Sequence, residues 1–304
     1  MHPWGYDFVS GKKNFTFRFP NIEYSFFQSK PKLDIIFKNS PYLRNVFTDG
    51  FISSVILGMS KPGSWNGNLN NLRLNSELSG MISGVIHSKF LDSNLYRFLK
   101  FDADFAQRIK TGKSAVFVFH FFGGIGYEFN STVNPRKRYN LPFFREYFAG
   151  GPNSMRAWGL RKLGPGSLVA NFDTTPGSRF DRYGDLQLET NLEFRFPLFK
   201  MPSVDINGAV FTDIGNIWYV KKAPDRLPEE VFNFNRLFTD LAIGVGTGLR
   251  VDFHFFVIRL DYSIKAKDPS PSLKYAAVQN KWFGYPRLRD MDQFQLAISY
   301  PFIL

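Results

Sequence analysis

The side chain best placed to do chemistry is Arg156. It lies between Met155 and Trp158 in the stretch 142–167, where Gly150-Gly151-Pro152 allows a tight reversal. A guanidinium among apolar neighbours seeks a carboxylate, which it binds through two parallel N–H bonds. Glu193 and Asp213, both on polar strand faces further along the chain, are the candidate partners. Left free on a glycine-containing loop, Arg156 would simply be solvated. Paired with either acid, it would fasten the loop to the strands, as a purely stabilising salt bridge or as a lock on which function depends.

Other chemistry is sparse. The absence of cysteine excludes disulfides, thiol catalysis, cysteine zinc sites and iron–sulfur clusters. His2, His87, His120 and His254 are too far apart in sequence to suggest a metal pair. Serine, histidine and carboxylates form no nucleophile elbow. Gly244-x-Gly246-x-Gly248 lies inside a strand pattern with no helix after it, so it reads as close packing against a loop or as strand curvature, not as a dinucleotide loop. No catalytic residue, metal or cofactor is expected.

The elements that must position Arg156 are strands. From 185 to 196, Asp185, Gln187, Glu189, Asn191, Glu193 and Arg195 alternate with Leu186, Leu188, Thr190, Leu192, Phe194 and Phe196. The same two-faced pattern recurs along the chain and predicts about ten strands, near 14–26, 49–61, 70–82, 97–109, 114–129, 184–197, 204–219, 241–253, 256–267 and 293–302. Asp102 and Asp104 fall on a polar face and read as solvated charges. The links alternate between short turns and long segments, the long ones at 130–183, 220–240 and 268–292. That layout suits an outer-membrane barrel. A soluble sandwich also alternates, but these strands have about the nine to eleven residues a membrane strand needs. Aromatics also crowd the strand ends at Trp218-Tyr219, Phe253 to Phe256 and Tyr300 to Phe302, as in an interfacial girdle. No run of about 18 apolar residues predicts a transmembrane helix. The net charge of +12 is scattered, in short clusters such as Arg136-Lys137-Arg138 and Lys221-Lys222, so no nucleic-acid partner is expected.

The segment around Arg156 resembles the Omp85 superfamily of outer-membrane assembly and secretion barrels (the BamA/TamA-like proteins). Gly150-Gly151-Pro152-Asn153-Ser154 followed by Met155-Arg156-Ala157-Trp158 is similar to the family's Gly-Gly-x-x-Ser and Val-Arg-Gly-Phe/Tyr loop motif. Phe194 to Pro197, Phe211-Thr212-Asp213-Ile214-Gly215 and Gly244 to Arg250 are similar to its later strand motifs, and 293–302 to its terminal β-signal. Ala157 departs from the family glycine, which bears on how closely the loop tip approaches the wall. Asn39 to Ile52 looks like the TamL-type branch of Bacteroidota.

The resemblance implies an all-β transmembrane antiparallel barrel of sixteen strands, with the loop at 130–183 folded into the lumen after strand eleven. About ten strands are expected here, five of them after the loop. With no POTRA domains and no signal-peptide pattern in Met1 to Asp7, residues 1–304 read as the C-terminal portion of such a barrel, expected not to close stably by itself. Arg156 is expected to pair with Glu193 or Asp213, with Phe211 and Gly215 shaping the receiving wall and Trp158 packing there. Phe294, Leu296, Ile298, Tyr300 and Phe302 are expected to face lipid and to form the assembly signal. The implied role is non-enzymatic insertion or translocation of other proteins at the outer membrane. The implied partners are outer-membrane lipids or lipopolysaccharide, client outer-membrane proteins and a TamB-like periplasm-spanning protein. A two-partner-type secretion pore or a plain porin is the alternative.

Overall fold

The computed structural model describes residues 5–25, 50–65, 68–80, 89–112, 114–129, 139–169, 182–224 and 226–298. They form one antiparallel sheet whose spatial order is the chain order. Its strands are β1 (Gly5–Ser10), β2 (Lys13–Ser25), β3 (Gly50–Trp65), β4 (Asn68–Ser79), β5 (Phe98–Thr111), β6 (Ala115–Glu128), β7 (Leu186–Met201), β8 (Val204–Trp218), β9 (Ala242–Asp252), β10 (Val257–Lys267) and β11 (Asp292–Ile298). Short turns join strands at one end, as at Pro202-Ser203 between β7 and β8. The long links, including that between β6 and β7, all lie at the other. β1 and β11 are not paired with each other, so the described sheet is open.

The faces of the sheet are reversed relative to a water-soluble protein. On β7, Gln187, Glu189, Asn191 and Glu193 are buried, while the leucines between them are half-buried or face outward. On β5, Leu99 and Phe101 are exposed, as are Phe294, Leu296 and Ile298 on β11. A soluble sandwich would cover its apolar face with a second layer. Among the described residues there is a single sheet, and its apolar side is bare. Only a hydrocarbon solvent makes that side favourable, and antiparallel strands satisfy their backbone groups from strand to strand there.

Three expectations need correction. β1 was not anticipated: only Tyr6 and Phe8 alternate with Asp7, and its six residues, all exposed, are too few for periodicity to stand out. Six strands therefore precede the long loop among the described residues, not five, and the total is eleven, not ten. Trp218 is not part of an outward girdle. It is completely buried beneath the loops, with its indole N–H donating to Asp240. Tyr300 and Phe302, the stretch 39–49 and the cluster 136–138 lie outside the described residues.

A charge on the outward face is expected to be costly. Leu192→Arg, in the middle of β7, should destabilise the membrane-inserted protein by about 2–4 kcal/mol. Urea unfolding from lipid vesicles measures this.

Candidate functional site

The loop between β6 and β7 crosses the polar face of the sheet. At its start, Arg145 donates from Nε to Glu77 on β4 at 2.7 Å and from Nη2 to Glu23 on β2 at 2.5 Å. Tyr147 donates its hydroxyl proton to Asp102 on β5. The chain then turns back at Gly150 and Gly151, whose φ angles of 104° and 99° are left-handed conformations that favour glycine. A side chain at Gly150 would strike the carbonyl oxygen of Gly159. The reversal is closed by the Gly151 N–H donating to the Trp158 carbonyl at 2.9 Å. Between these points Met155, Arg156, Ala157 and Trp158 are all but completely buried.

Arg156 meets both acids named from the sequence. Its Nε and Nη2 donate to the two oxygens of Asp213 at 2.9 and 2.8 Å, its backbone N–H donates to the same carboxylate at 2.9 Å, and Nη1 donates to Glu193 at 2.5 Å. The guanidinium carbon lies 3.4 Å from the centroid of the Phe211 ring, a cation–π contact. Burial by itself would lower the Arg156 pKa. The charges and hydrogen bonds of Asp213, then Glu193, outweigh it and hold the guanidinium above its ordinary value.

Phe211 thus receives the loop directly. Gly215 does not: a side chain there would press on the β7 backbone at Leu188, so its role is close approach of two strands. The methyl of Ala157 is accommodated from the opposite side. It faces Gly244 on β9, where an added Cβ would lie 2.8 Å from it. Gly246 leaves room in the same way for the Phe211 ring, as close packing against the loop requires.

Several further contacts are not marked by the strand pattern. Ser154 donates to Glu189 at 2.6 Å. Arg250 on β9 bridges Glu193, at 3.0 Å, and Asp261 on β10, at 2.6 Å. Arg259 on β10 donates to Asn153 at 3.0 Å and to the Pro152 carbonyl. The Arg156 carbonyl accepts from Ser263 on β10 at 2.9 Å and from Gln295 on β11. Asp102 and Asp104 are not merely solvated, since Asp102 accepts from Tyr147 and Asp104 lies 3.3 Å from His120. In the strand pattern each of these is one more inward polar residue. Only the inward Arg250 and Asp261 on adjacent strands offered a hint of an ion network. From Glu23 on β2 to Gln295 on β11, one loop bonds across most of the sheet, so the sheet must curve around it.

The Omp85 superfamily domain matches residues 61–302. No curated protein matches the sequence significantly. Among solved structures, the chain is similar to CdiB from Escherichia coli, at 11% identity and a TM-score of 0.52, covering 86% of this chain and 40% of that one. It is also similar to BamA from Haemophilus ducreyi lacking POTRA domains 1–3, at 14% identity and a TM-score of 0.53, covering 97% and 57%. At such identities the likeness is one of fold, and the chain spans only about half the length of these structures.

The loop also carries a pH-sensitive group. Burial, reinforced by the charge of Asp185, pushes the Glu146 carboxyl up to about 8, against the opposing effects of its Asn140 hydrogen bond and Arg226. The folded protein therefore holds a proton that the unfolded chain releases near pH 4.5. The contribution of this carboxyl to stability is fully present below that value and is lost as the pH rises towards 8. Glu146→Gln should remove this decline, so that its melting temperature, relative to the parent protein, increases between pH 5 and pH 8.

Proposed function

The chain belongs to the Omp85 superfamily of outer-membrane β-barrels, and from that premise we propose that it is part of a non-enzymatic factor that helps other proteins enter or cross the outer membrane. The observation that carries this reading is the burial of Arg156 between Asp213 and Glu193. A polar loop tip needs no such anchor to line a passive pore, where its cations would be solvated more cheaply by water. Removing one side of a buried ion pair costs about 3–5 kcal/mol, because the remaining charge has no partner. The docked loop is therefore a sharply defined state that a single residue can undo.

In this reading the rigid part of the protein is β7 to β10 with the loop tip bound, and the working part is the terminal strand. An edge strand presents unpaired N–H and C=O groups that template the addition of another strand. A client outer-membrane protein would add its own strand there and be guided into the bilayer. Phe294, Leu296 and Ile298, continued by Tyr300 and Phe302, would serve as the signal by which this chain is itself assembled. Lipids or lipopolysaccharide would contact the apolar outer face, and a TamB-like protein would be the periplasm-spanning partner. Residues 1–304 would be the C-terminal portion of the complete barrel.

The test is a charge series in the intact protein in its native host. Arg156→Ala should lower the ratio of docked to undocked loop by roughly 100-fold or more and reduce the amount of folded client proteins in the outer membrane. Arg156→Asp combined with Asp213→Arg should recover part of that loss. Normal client levels in an Arg156→Ala strain that carries the usual amount of barrel, with ion conductance retained, would favour a plain pore.

A further inference from the structure

Two cations stand side by side on the outward face of the sheet. Along β2, Lys13 falls on the same side as Phe15 and Phe17, and along β3, Lys61 falls on the same side as Leu57 and Met59. Asn14 pairs with Ser60, so Lys13 and Lys61 lie opposite each other one step nearer the short turns. Both are exposed. Like charges directly opposite on paired strands are destabilising. No counter-ion offsets this pair: residues 10–14, 60–70 and 107–115 contain no acid, and Asp7 lies on the inner face of β1, bound to Arg18 at 2.9 Å. Other strand pairs carry uncharged residues outward near the same end, as at Ile109↔Phe117 and Phe196↔Gly208.

Beside the lysines the outward face is hollow. Ser76 is the small member of the row Leu57↔Ser76↔Phe101, and the gap it leaves is walled by Phe15, Phe17, Leu57, Met59, Leu74 and Phe101. Phe8 extends the wall by stacking on Phe15, with ring centroids 5.0 Å apart. The recess has a volume of about 470 Å³ and opens to the lipid side. Sites for small molecules occupy roughly 300–1,000 Å³. Its nearer wall, Phe15 and Met59, is two residues along the strands from the lysines, about 7 Å. One amphiphile can therefore reach both the cations and the recess.

We propose that Lys13 and Lys61 bind the phosphate of an anionic glycerophospholipid, one acyl chain of which lies in the recess. The short turns of an outer-membrane barrel face the periplasm. This end of the sheet therefore meets the inner leaflet, which is built of phospholipid and not of lipopolysaccharide. A phosphate set between the two ammonium groups replaces their repulsion with charge-assisted hydrogen bonds. Lysines that merely snorkelled to water would need neither an adjacent cation nor a recess. An anionic headgroup suits the pair better than a zwitterionic one, which brings a cation of its own. The site rests on the membrane orientation of the barrel and not on the client reading, so failure of that reading leaves it standing.

Native mass spectrometry of the full-length protein, titrated with dioleoyl-phosphatidylglycerol and with dioleoyl-phosphatidylcholine, tests the site. The parent protein should hold phosphatidylglycerol the more tightly. Lys13→Gln combined with Lys61→Gln should weaken that binding by roughly 10- to 30-fold, from about a fivefold effect of each lysine near an anionic surface, with less effect on phosphatidylcholine. Lys13→Arg combined with Lys61→Arg should keep the preference. Ser76→Phe, which fills the recess, should weaken both lipids alike. Lys200→Gln, near the same end of the sheet on β7, should change neither. Equal affinity of the parent for the two lipids, an undiminished preference in the double Gln variant, or an equal loss in Lys200→Gln would each overturn the proposal. Displacement of phosphatidylglycerol by a lower concentration of lipopolysaccharide would overturn the assignment to the inner leaflet.

Discussion

The structure depends on keeping a guanidinium charged and dry. Arg156 has no exposed surface, so water cannot solvate it, and its charge is met by Asp213 through two hydrogen bonds and by Glu193 through a third, while its backbone N–H adds another to Asp213. Those acids cannot serve it while facing bulk solvent or lipid. They must lie on the inner face of β7 and β8, with a loop long enough to reach them and a reversal tight enough to present the side chain end-on. The glycines at 150 and 151, the gap left by Gly244 and the ring of Phe211 each meet part of that requirement.

The network around Arg156 alternates in sign. Glu193 accepts from Arg156, Arg195 and Arg250, and Asp261 lies against Arg250 and Arg259. Each of these two carboxylates is shared by several cations, so the members of the network fix one another's positions. Such a cluster favours one docked geometry over many loosely bound ones. The same logic explains why the loop is bonded at both ends of the sheet. Arg145 ties its start to β2 and β4, and Gln295 ties its tip to β11.

The membrane inverts the usual division of labour. Hydrocarbon outside the sheet solvates leucine and phenylalanine without asking for shape, so the outward positions carry little structural information beyond being apolar. Specific packing moves to the inner face, where polar side chains, glycine gaps and the loop interlock. This is why Gln187, Glu189, Asn191 and Glu193 of β7 are buried, while Leu188 and Leu192 between them lie on the outward face.

Much of this was legible in the residues themselves. Alternation with a period of two is local, and the polar and apolar faces it gives 185–196 are the inward and outward faces of β7 in the structure. Arg156 among apolar neighbours, with Glu193 and Asp213 on polar strand faces, is the feature of the sequence that points to these three residues. The six residues of β1 were too short for a period to emerge, and the indole of Trp218 gave no sign that it would be buried under loops. Glu189, Ser263 and Gln295 were invisible as partners, because in a strand pattern an inward polar residue differs in nothing from its neighbours. Their convergence on one loop tip depends on sheet curvature and on register between strands far apart in the chain. The chain's own pattern therefore determined which side of each strand is wet, since that is a property of adjacent residues. Only the tertiary structure decided which wet residues meet, since that follows from how the whole sheet bends around the loop.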